Sequence, residues 1–339
     1  MKALFIGGTG TISTAITRIA PDRGFDVYLL NRGNRMELVP EGVKVIQADI
    51  YNETDVKEKL KDMTFDVVAE FIAFDVEALK RDVRLFAGKT KQFIFISSAS
   101  AYQKPLSSPY ITESTPLYNP FWLYSRNKIA CEEYLMKEYR ENGFPITIIR
   151  PSHTYGDFDV PLAVHGNNGS FSVIDRMRNG KKVIIHGDGS SLWTLTHNTD
   201  FAKAFVGLMG NIHAIGEALQ ITSDESLTWN QIYEIIGSAL GIKPDIIHIP
   251  SETLAKAYPD LLGGLLGDKS NTVIFDNSKV KRLVPEYQAA VRFDQGVRRT
   301  LAYVLSHKEL QKPDPAFDEW TDRMIEVYEA YESNLPEYK

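Results

Sequence analysis

The chain has 339 residues, of which 43% are hydrophobic and 24% charged, as in an ordinary globular protein. This length is enough for one large α/β unit with a smaller lobe, or for roughly two average domains. Its 38 Lys+Arg and 44 Asp+Glu give a net charge of −6, which argues against a general attraction for nucleic acid. The single cysteine, Cys131, excludes an intrachain disulfide framework and a cysteine-rich zinc site.

The first residues, Met1 to Ala15, begin with an apolar run that continues directly into a glycine turn. They lack the charged head, apolar middle and small-residue cleavage site of a signal peptide. No apolar stretch approaches the roughly 20 residues that a membrane-spanning helix needs. We therefore expect a cytoplasmic protein without a membrane partner.

Short apolar runs alternate with helical patterns through the first half of the chain. The predicted strands are Lys2–Ile6, Asp26–Leu30, Lys44–Ala48, Asp66–Ala69, Gln92–Ser97 and Ile146–Ile149, and the predicted helices are Ser13–Arg23, Asp55–Lys61 and Val76–Phe86. Strands that are apolar on both faces, with helices between them, are typical of a parallel sheet covered on both sides. The predicted fold class is therefore α/β, a Rossmann-type doubly wound parallel sheet.

The pattern changes after Pro151, where residues 161–169 are rich in Gly, Asn and His and indicate a loop. A helix is predicted over Thr228–Leu240, a strand over Asp245–Ile249 and a final helix over Pro315–Glu332. We expect a dinucleotide-binding domain over residues 1–160, to which a segment at about 190–215 returns, and a smaller α/β substrate lobe over residues 161–339.

A glycine-rich turn, Gly7-Gly8-Thr9-Gly10, follows the first predicted strand and opens the first predicted helix. Such a turn brings the backbone close to a pyrophosphate, and the helix N-terminus offers free N–H groups to it. The third glycine of the usual fingerprint is replaced by Ser13, which is still small enough for close helix–strand packing. The turn therefore predicts a dinucleotide site.

The second predicted strand ends in Leu30-Asn31-Arg32-Gly33, without the acidic residue that would bind the ribose diol of NAD. Asn31 is still able to accept a hydroxyl group. Arg32 and Arg35 favour a 2′-phosphate and hence NADP, or else they belong to a solvated surface turn. Asp49, after the third strand, is placed for the adenine end of the cofactor, or is a plain surface charge.

A serine pair, Ser97-Ser98, ends the fifth predicted strand, and Tyr124 and Lys128 stand four residues apart at the start of a helical stretch. Residues at i and i+4 share one helix face. A lysine ammonium there stabilises a tyrosine phenolate and lowers the tyrosine pKa towards neutrality. Such a tyrosine is suited to general acid–base catalysis.

With these motifs the chain resembles the extended short-chain dehydrogenase/reductase family, in particular its NAD-dependent epimerase/dehydratase branch. The residues that carry the resemblance are Gly7 to Gly10, Ser97-Ser98, Tyr124 to Lys128, Arg150 to Gly156, Gly187-Asp188-Gly189, His197 to Asp200 and Asp276 to Lys279.

The resemblance implies a catalytic set of Ser98, Tyr124 and Lys128. Tyr124 would exchange a proton with a substrate hydroxyl, Lys128 would bind the nicotinamide ribose and tune Tyr124, and Ser98 would hydrogen-bond the reacting oxygen. The predicted contacts with NAD or NADP are Gly7, Gly8, Thr9, Gly10, Thr11, Ile12, Asn31, Arg32, Arg35, Asp49, Ile50, Phe71, Ile72, Ala73, Tyr124, Lys128 and Pro151.

Departures from the family pattern narrow the activity. Ala99 and Ser100 occupy the positions of the Asp-Glu pair of the family's dehydratases, so we set elimination of water aside. His153 and Trp193 replace an asparagine and an arginine that serve the substrate diphosphate in nucleotide-sugar epimerases. The candidate substrate contacts are Ser100, His153, Trp193 and Trp122. Ordinary packing explains either tryptophan equally well, and His153 is equally explained as a hydrogen-bonded histidine at a strand end.

The sequence thus predicts an NAD(P)-dependent epimerase or oxidoreductase acting on a secondary alcohol of a sugar or sugar-like substrate. The alternatives are an NADP-dependent carbonyl reductase with an exchangeable cofactor, and a non-catalytic RNA-binding protein on the same fold. The histidines show no metal-ligand spacing, so no metal is expected. Apolar residues along Ile129–Tyr139 suit a homodimer interface or, equally, the core of one subunit.

Overall fold

The structure is a computed structural model that describes residues 1–338. Its strands are β1 (Lys2–Ile6), β2 (Asp26–Asn31), β3 (Lys44–Gln47), β4 (Val67–Glu70), β5 (Phe93–Ile96), β6 (Tyr110–Ile111), β7 (Ile146–Pro151), β8 (His153–Tyr155), β9 (Val183–His186), β10 (Leu192–Trp193), β11 (Leu195–His197), β12 (Ala218–Ile221), β13 (Leu227–Thr228), β14 (Ile246–Ile249) and β15 (Ile274–Phe275). Its α-helices are α1 (Thr11–Ile19), α2 (Glu53–Lys59), α3 (Val76–Phe86), α4 (Leu123–Asn142), α5 (Phe171–Arg178), α6 (Asn198–Leu208), α7 (Trp229–Leu240), α8 (Ser251–Ala257), α9 (Leu261–Gly264), α10 (Ser278–Leu283), α11 (Phe293–Ser306) and α12 (Pro315–Ser333).

The chain divides into two compact units. The first comprises Met1–Thr154, Thr196–Asp224 and Phe275–Ala290, and the second comprises Tyr155–Leu195, Glu225–Ile274 and Val291–Lys339. The first unit thus differs from the predicted domain of residues 1–160 with a return at about 190–215. In particular, Phe275–Ala290 clusters with the first unit, whereas the sequence pattern assigns it to the smaller lobe.

The first unit contains a seven-stranded sheet in the order β12-β7-β5-β4-β1-β2-β3. Every neighbouring pair in this sheet is parallel. Apolar side chains alternate between its two faces, as β1 illustrates: Ala3 and Phe5 join one buried cluster, whereas Leu4 and Ile6 join another. Both faces are therefore buried, which confirms the predicted Rossmann-type α/β fold class.

The second unit is a smaller α/β assembly. Within it β9 pairs in parallel with β14, and β10 pairs antiparallel with β13. Arg176 on α5 ion-pairs with Asp318 and Asp322 on α12, each at 2.5 Å. Trp193 is only 4% exposed and its ring stacks on that of Trp229, with the centroids 5.9 Å apart.

Two local predictions need correction. The helix predicted over Ser13–Arg23 ends earlier, because α1 stops at Ile19 and Pro21–Arg23 form a 3-10 turn; proline has no N–H with which to continue an α-helix. The sheet also gains β12, which the sequence does not predict.

None of the helices within residues 1–338 is both long and apolar enough to span a membrane.

Candidate active site

The glycine turn joins β1 to α1 in a conformation that few other residues adopt. Gly7 and Gly8 have φ angles of 105° and 95°, in a region that side chains disfavour. A methyl group added at Gly8 would lie 2.6 Å from Cδ2 of Leu29. The turn is anchored by hydrogen bonds, since Gly7 N donates to Leu30 O at 3.0 Å and the Thr17 hydroxyl donates to Gly8 O at 2.9 Å.

Hydrogen bonds from side chains also fix the start of α1. Ser13 Oγ accepts a hydrogen bond from Gly10 N at 2.9 Å, and the Thr14 hydroxyl donates to Gly10 O at 2.7 Å. Ser13 is 2% exposed, so it takes the packing position that its small size predicts. Thr9 to Ser13 line a cleft of about 730 Å³, and Gly7 and Gly8 line it as well.

The ends of β2 and β3 form a second part of this cleft. Its lining includes Asn31, Arg32, Arg35, Asp49 and Ile50. Asn31 Oδ1 accepts from Gly33 N at 2.9 Å, and Arg35 Nη1 donates to Thr9 O at 3.2 Å. The exposed Arg32 guanidinium makes no hydrogen bond or ion pair with any residue among 1–338, so it is available to an anion.

The Lys128 side chain enters the cleft from α4 and is 2% exposed. Its Nζ donates to Ala73 O and to Ile96 O, both at 2.8 Å. The ammonium also lies 4.7 Å from the ring centres of Phe74 and Phe95, where cation–π attraction contributes. Burial lowers the pKa of Lys128 to about 8, because desolvation penalises the charged form.

Tyr124 lines the cleft one helical turn before Lys128. Lys128 Nζ lies 5.8 Å from the centre of the Tyr124 ring. The rings of Trp122 and Phe74 pack near the tyrosine, with centroid distances of 4.9 and 6.2 Å. The half-buried Tyr124 phenol thus lies in the same part of the cleft as the buried Lys128 ammonium.

The serines after β5 have separate environments. Ser98 Oγ lies 2.8 Å from Ser100 Oγ, which in turn accepts from the Ser125 hydroxyl at 2.7 Å. Ser97 lines the cleft, but its hydroxyl donates to the Glu132 carboxylate. Glu132 forms a buried ion pair with Arg150, whose Nη2 lies 2.6 Å from Oε2. Ser97 is thus part of a structural network, whereas Ser98 belongs to a chain of hydroxyl groups.

The segment after β4 contains three further predicted cofactor contacts, Phe71, Ile72 and Ala73, of which Ala73 does not line the cleft. Phe71 and Ile72 line it, as does Pro151 at the end of β7. Ala73 contributes its carbonyl group, which binds Lys128. The Glu70 carboxylate accepts from Ile72 N at 2.5 Å and from Ala73 N at 2.8 Å, and so fixes this segment.

The predicted substrate contacts are placed less uniformly. Ser100 is 3% exposed and Trp122 caps the start of α4 beside Tyr124. His153 lies half-buried on β8. Trp193 packs inside the second unit, and this burial does not support a stacking role on a substrate. Within residues 1–338, no group of three or more His, Cys, Asp or Glu side chains is placed to hold a metal ion.

Sequence reasoning missed several residues of this cleft, among them Asn34, Tyr51 and Phe74. Their signal is positional, because they follow the carboxyl ends of β2, β3 and β4, where ligands bind in open parallel sheets. Glu70 was also missed. A carboxyl group that ends an otherwise apolar strand is the sequence signal that identifies it.

Comparison with known proteins decides the family. A sequence model described as "NAD dependent epimerase/dehydratase family" matches residues 3–221. The chain belongs to this family. The membership confirms the resemblance and the enzyme class predicted from the sequence.

Three relatives illustrate the range of the similarity. The chain is 26% identical over 297 residues to 2'-dehydrokanamycin reductase of Streptomyces kanamyceticus, covering 85% of this chain and 80% of that protein. It is 26% identical to the chloroplast stem-loop binding protein of 41 kDa b of Arabidopsis thaliana, over 73% of this chain and 65% of that protein. The solved structure of UDP-glucuronic acid 4-epimerase from Bacillus cereus in complex with NAD superimposes with a TM-score of 0.73 at 21% identity, covering 92% of this chain and 100% of that chain.

Proposed function

We propose that this protein is an NAD(P)-dependent oxidoreductase that interconverts a secondary alcohol and a ketone on a sugar or sugar-like substrate, with Tyr124 as the proton carrier. The observation that carries the proposal is the buried Lys128 ammonium, 5.8 Å from the centre of the Tyr124 ring, in the cleft that the glycine turn also lines. This juxtaposition supports the proposal because it would bring a proton-transfer pair close to a turn that is suited to a pyrophosphate.

The residues of the cleft fit a nicotinamide dinucleotide. Two glycines with positive φ leave the backbone open to a pyrophosphate, and the first turn of α1 adds N–H groups and a partial positive charge. Lys128 would hold the nicotinamide ribose. When bound, the nicotinamide ring supplies the site for hydride gain or loss.

The chain's own residues handle the proton. In the reductive direction the Tyr124 hydroxyl protonates the new alkoxide oxygen, and the Lys128 charge stabilises the phenolate that remains. The Ser98 hydroxyl donates to the reacting oxygen and is itself oriented by Ser100 and Ser125. Ser98, Tyr124 and Lys128 therefore have distinct tasks: orienting, proton transfer and charge stabilisation.

Reduction with an exchangeable cofactor is the direction that the site favours. The unpaired Arg32 and the neighbouring Arg35 suit the 2′-phosphate of NADP. A relative named for the reduction of 2'-dehydrokanamycin makes a sugar-like ketone without a nucleotide a reasonable substrate class. The second candidate is epimerisation with retained NAD, which the family and the similarity to the Bacillus cereus epimerase favour.

The first experiment identifies the dinucleotide. Purified protein is denatured and the supernatant analysed by mass spectrometry, and the protein is titrated in parallel with NADPH and NADH. An empty site that binds NADPH more tightly supports the reductase. NAD retained in near-stoichiometric amount supports the epimerase, and a protein that neither retains nor binds a dinucleotide refutes the enzymatic proposal.

The second experiment tests Tyr124. We expect Tyr124→Phe to lower kcat by about 10²–10⁴-fold, the usual contribution of a general acid, on a panel of sugar-like ketones with NADPH oxidation as the readout. Dinucleotide affinity should change less than twofold, because the substitution leaves Lys128 and the glycine turn intact. Tyr118→Phe is the matched control, since Tyr118 is 57% exposed and does not line the cleft. Equal rates for the two variants would remove Tyr124 from the mechanism.

A further inference from the structure

We propose that Glu70 is a positioning residue that acts in its neutral form, sharing a proton with Asp82 and holding the Ala73 carbonyl group on Lys128. The inference rests on the proposed dinucleotide site and deepens it. It assigns a role to a buried cluster of Glu70 on β4 and Arg81 and Asp82 on α3, which are 0%, 4% and 0% exposed.

Two hydrogen bonds connect Glu70 to Lys128. Glu70 Oε1 accepts from Ala73 N at 2.8 Å, and Ala73 O accepts from Lys128 Nζ at 2.8 Å. The same oxygen accepts from Ile72 N at 2.5 Å. Without this acceptor the amides of Ile72 and Ala73 would lose their hydrogen bonds to Glu70, and the Ala73 carbonyl group would be held less firmly on Lys128.

The other oxygen of Glu70 shows which protonation state the cluster needs. Glu70 Oε2 and Asp82 Oδ2 are both buried, and neither has a hydrogen-bond donor among residues 1–338. The Glu70 and Asp82 side chains interact with each other, and one proton on Glu70 Oε2, donated to Asp82 Oδ2, would satisfy both buried oxygen atoms. The remaining negative charge on Asp82 is balanced by Arg81, whose Nε donates to Oδ1 at 2.8 Å.

The surrounding charges support this assignment. Burial and the charge of Asp82 hold the pKa of Glu70 well above its usual range. Arg81 favours the charged form of Asp82, and Tyr51, Glu53 and Lys128 are the other ionisable groups whose interactions reach the cluster. Two adjacent buried carboxylates and a single arginine would carry an excess charge, and a shared proton removes it.

A neutral Glu70 has a consequence for Lys128. Lys128 makes no ion pair with any carboxylate of the described chain, and its Nζ is held by two carbonyl dipoles. A charged Glu70 would attract that ammonium, and the ammonium would then stabilise a Tyr124 phenolate less. A neutral Glu70 therefore positions Lys128 through Ala73 without forming an ion pair with its ammonium.

The test compares Glu70→Gln with Glu70→Leu. Glutamine retains an acceptor for Ile72 N and Ala73 N and offers N–H to Asp82, so it mimics the neutral carboxyl group; leucine offers neither. We expect E70L to weaken binding of the preferred reduced dinucleotide at least tenfold and to change ADP binding less than twofold, because ADP lacks the nicotinamide ribose that Lys128 holds. E70Q should match wild type with both probes.

Three results would overturn the proposal: wild-type dinucleotide affinity in E70L, a parallel loss of ADP and dinucleotide affinity, or a defect in E70Q as large as that in E70L. If E70L does not fold, Asp82→Asn decides, because removing the proton-sharing partner lets Glu70 ionise and should shift the alkaline limit of dinucleotide affinity upward. An unshifted limit contradicts the shared proton.

Failure of the proposed function is distinguishable from failure of this inference. A wild-type protein that binds neither dinucleotide overturns the function alone. Hydrogen exchange then tests the Glu70 contact, since the amides of Ile72 and Ala73 should be protected in wild type and E70Q and exposed to exchange in E70L. Equal protection in E70L and wild type would refute the anchoring role.

Discussion

Burial of Lys128 disfavours its positive charge, whereas the role that we propose for this residue requires that charge. Its ammonium lies among two carbonyl groups and the rings of Phe74 and Phe95. These contacts replace only part of the hydration that the ammonium would have in water, and the pKa of Lys128 is therefore lowered to about 8. The side chain is therefore charged at neutral pH but loses its proton in mildly alkaline solution.

This pKa predicts a pH dependence of cofactor binding. If the charged lysine holds the nicotinamide ribose, as we propose, the affinity for reduced dinucleotide should be level below pH 8 and fall by up to about tenfold per pH unit above it. Fluorescence titration from neutral to alkaline pH measures this. Lys128→Met should bind more weakly and show no such decline, and a decline that persists in that variant would assign it to another group.

Substitutions of the two arginines after β2 should distinguish residues that select NADPH over NADH from residues that support the binding of either cofactor. The Arg32 guanidinium makes no hydrogen bond or ion pair within the described chain, whereas that of Arg35 donates to Thr9 O in the glycine turn. We expect Arg32→Ser to weaken NADPH about 10- to 100-fold, the loss of a charge-assisted phosphate contact, and to leave NADH within twofold.

Arg35→Ser is the informative partner variant. It should weaken both cofactors, because the turn loses a hydrogen bond whichever cofactor binds. Isothermal titration of each variant with NADPH and NADH gives the four affinities. If Arg32→Ser weakened both cofactors equally, the proposed 2′-phosphate contact would be wrong.

At the scale of the element, the β1–α1 turn contains glycines of two kinds. Gly8 has a φ of 95° and no room for a methyl group beside Leu29, whereas a methyl group at Gly10 would meet only Ser13 Oγ, at 3.6 Å. The fold therefore needs Gly8, whereas it leaves room for a methyl group at Gly10, and we expect a ligand in the cleft to require that space.

We accordingly expect Gly8→Ala to lower the free energy of unfolding by about 2 kcal/mol, from backbone strain and crowding of Leu29. Gly10→Ala should leave the unfolding free energy within about 0.5 kcal/mol and weaken dinucleotide binding at least tenfold. Urea unfolding and cofactor titration on both variants measure the two effects. Unchanged binding in Gly10→Ala would show that no ligand approaches that atom.

The elements that the sequence predicts are those with a strong local signal. Strand β1 and helix α3 match their predicted bounds, and α7 and α12 differ by one residue. Strand β12 was missed because Gln220 interrupts a run of only four residues. The buried Gln220 side chain accepts a hydrogen bond at 2.9 Å from the hydroxyl group of Tyr102, which is far away in the sequence. A local sequence pattern does not reveal such a contact.

The candidate site divides in the same way. The glycine turn and the Tyr124–Lys128 pair are local motifs, so their positions in the cleft could be predicted. The Glu70–Asp82 pair joins β4 to α3 through side chains, and the hydroxyl chain of Ser98, Ser100 and Ser125 joins β5 to α4. Both depend on tertiary packing, which hydrophobic periodicity does not specify.

For the whole molecule, the question is whether the fold serves catalysis or only binding. Relatives include a reductase and a chloroplast protein named for stem-loop binding, so the fold alone does not decide. Two properties of this chain favour catalysis. The chain has Ser98, Tyr124 and Lys128 at the three positions that we propose for catalysis, and the net charge of −6 opposes association with a polyanion.

The last prediction follows from that charge. Stem-loop RNA at physiological salt should bind no more tightly than non-specific contacts allow, a Kd of about 10⁻⁶ M or weaker, and NADPH should not displace it. Fluorescence anisotropy with labelled RNA measures both, and a basic RNA-binding protein serves as the positive control. A nanomolar affinity that NADPH abolishes would place RNA in the dinucleotide cleft and favour the binding protein over the enzyme. A weak, salt-sensitive affinity in both wild type and Tyr124→Phe would instead leave the cleft to the cofactor, as its buried lysine and open glycine turn predict.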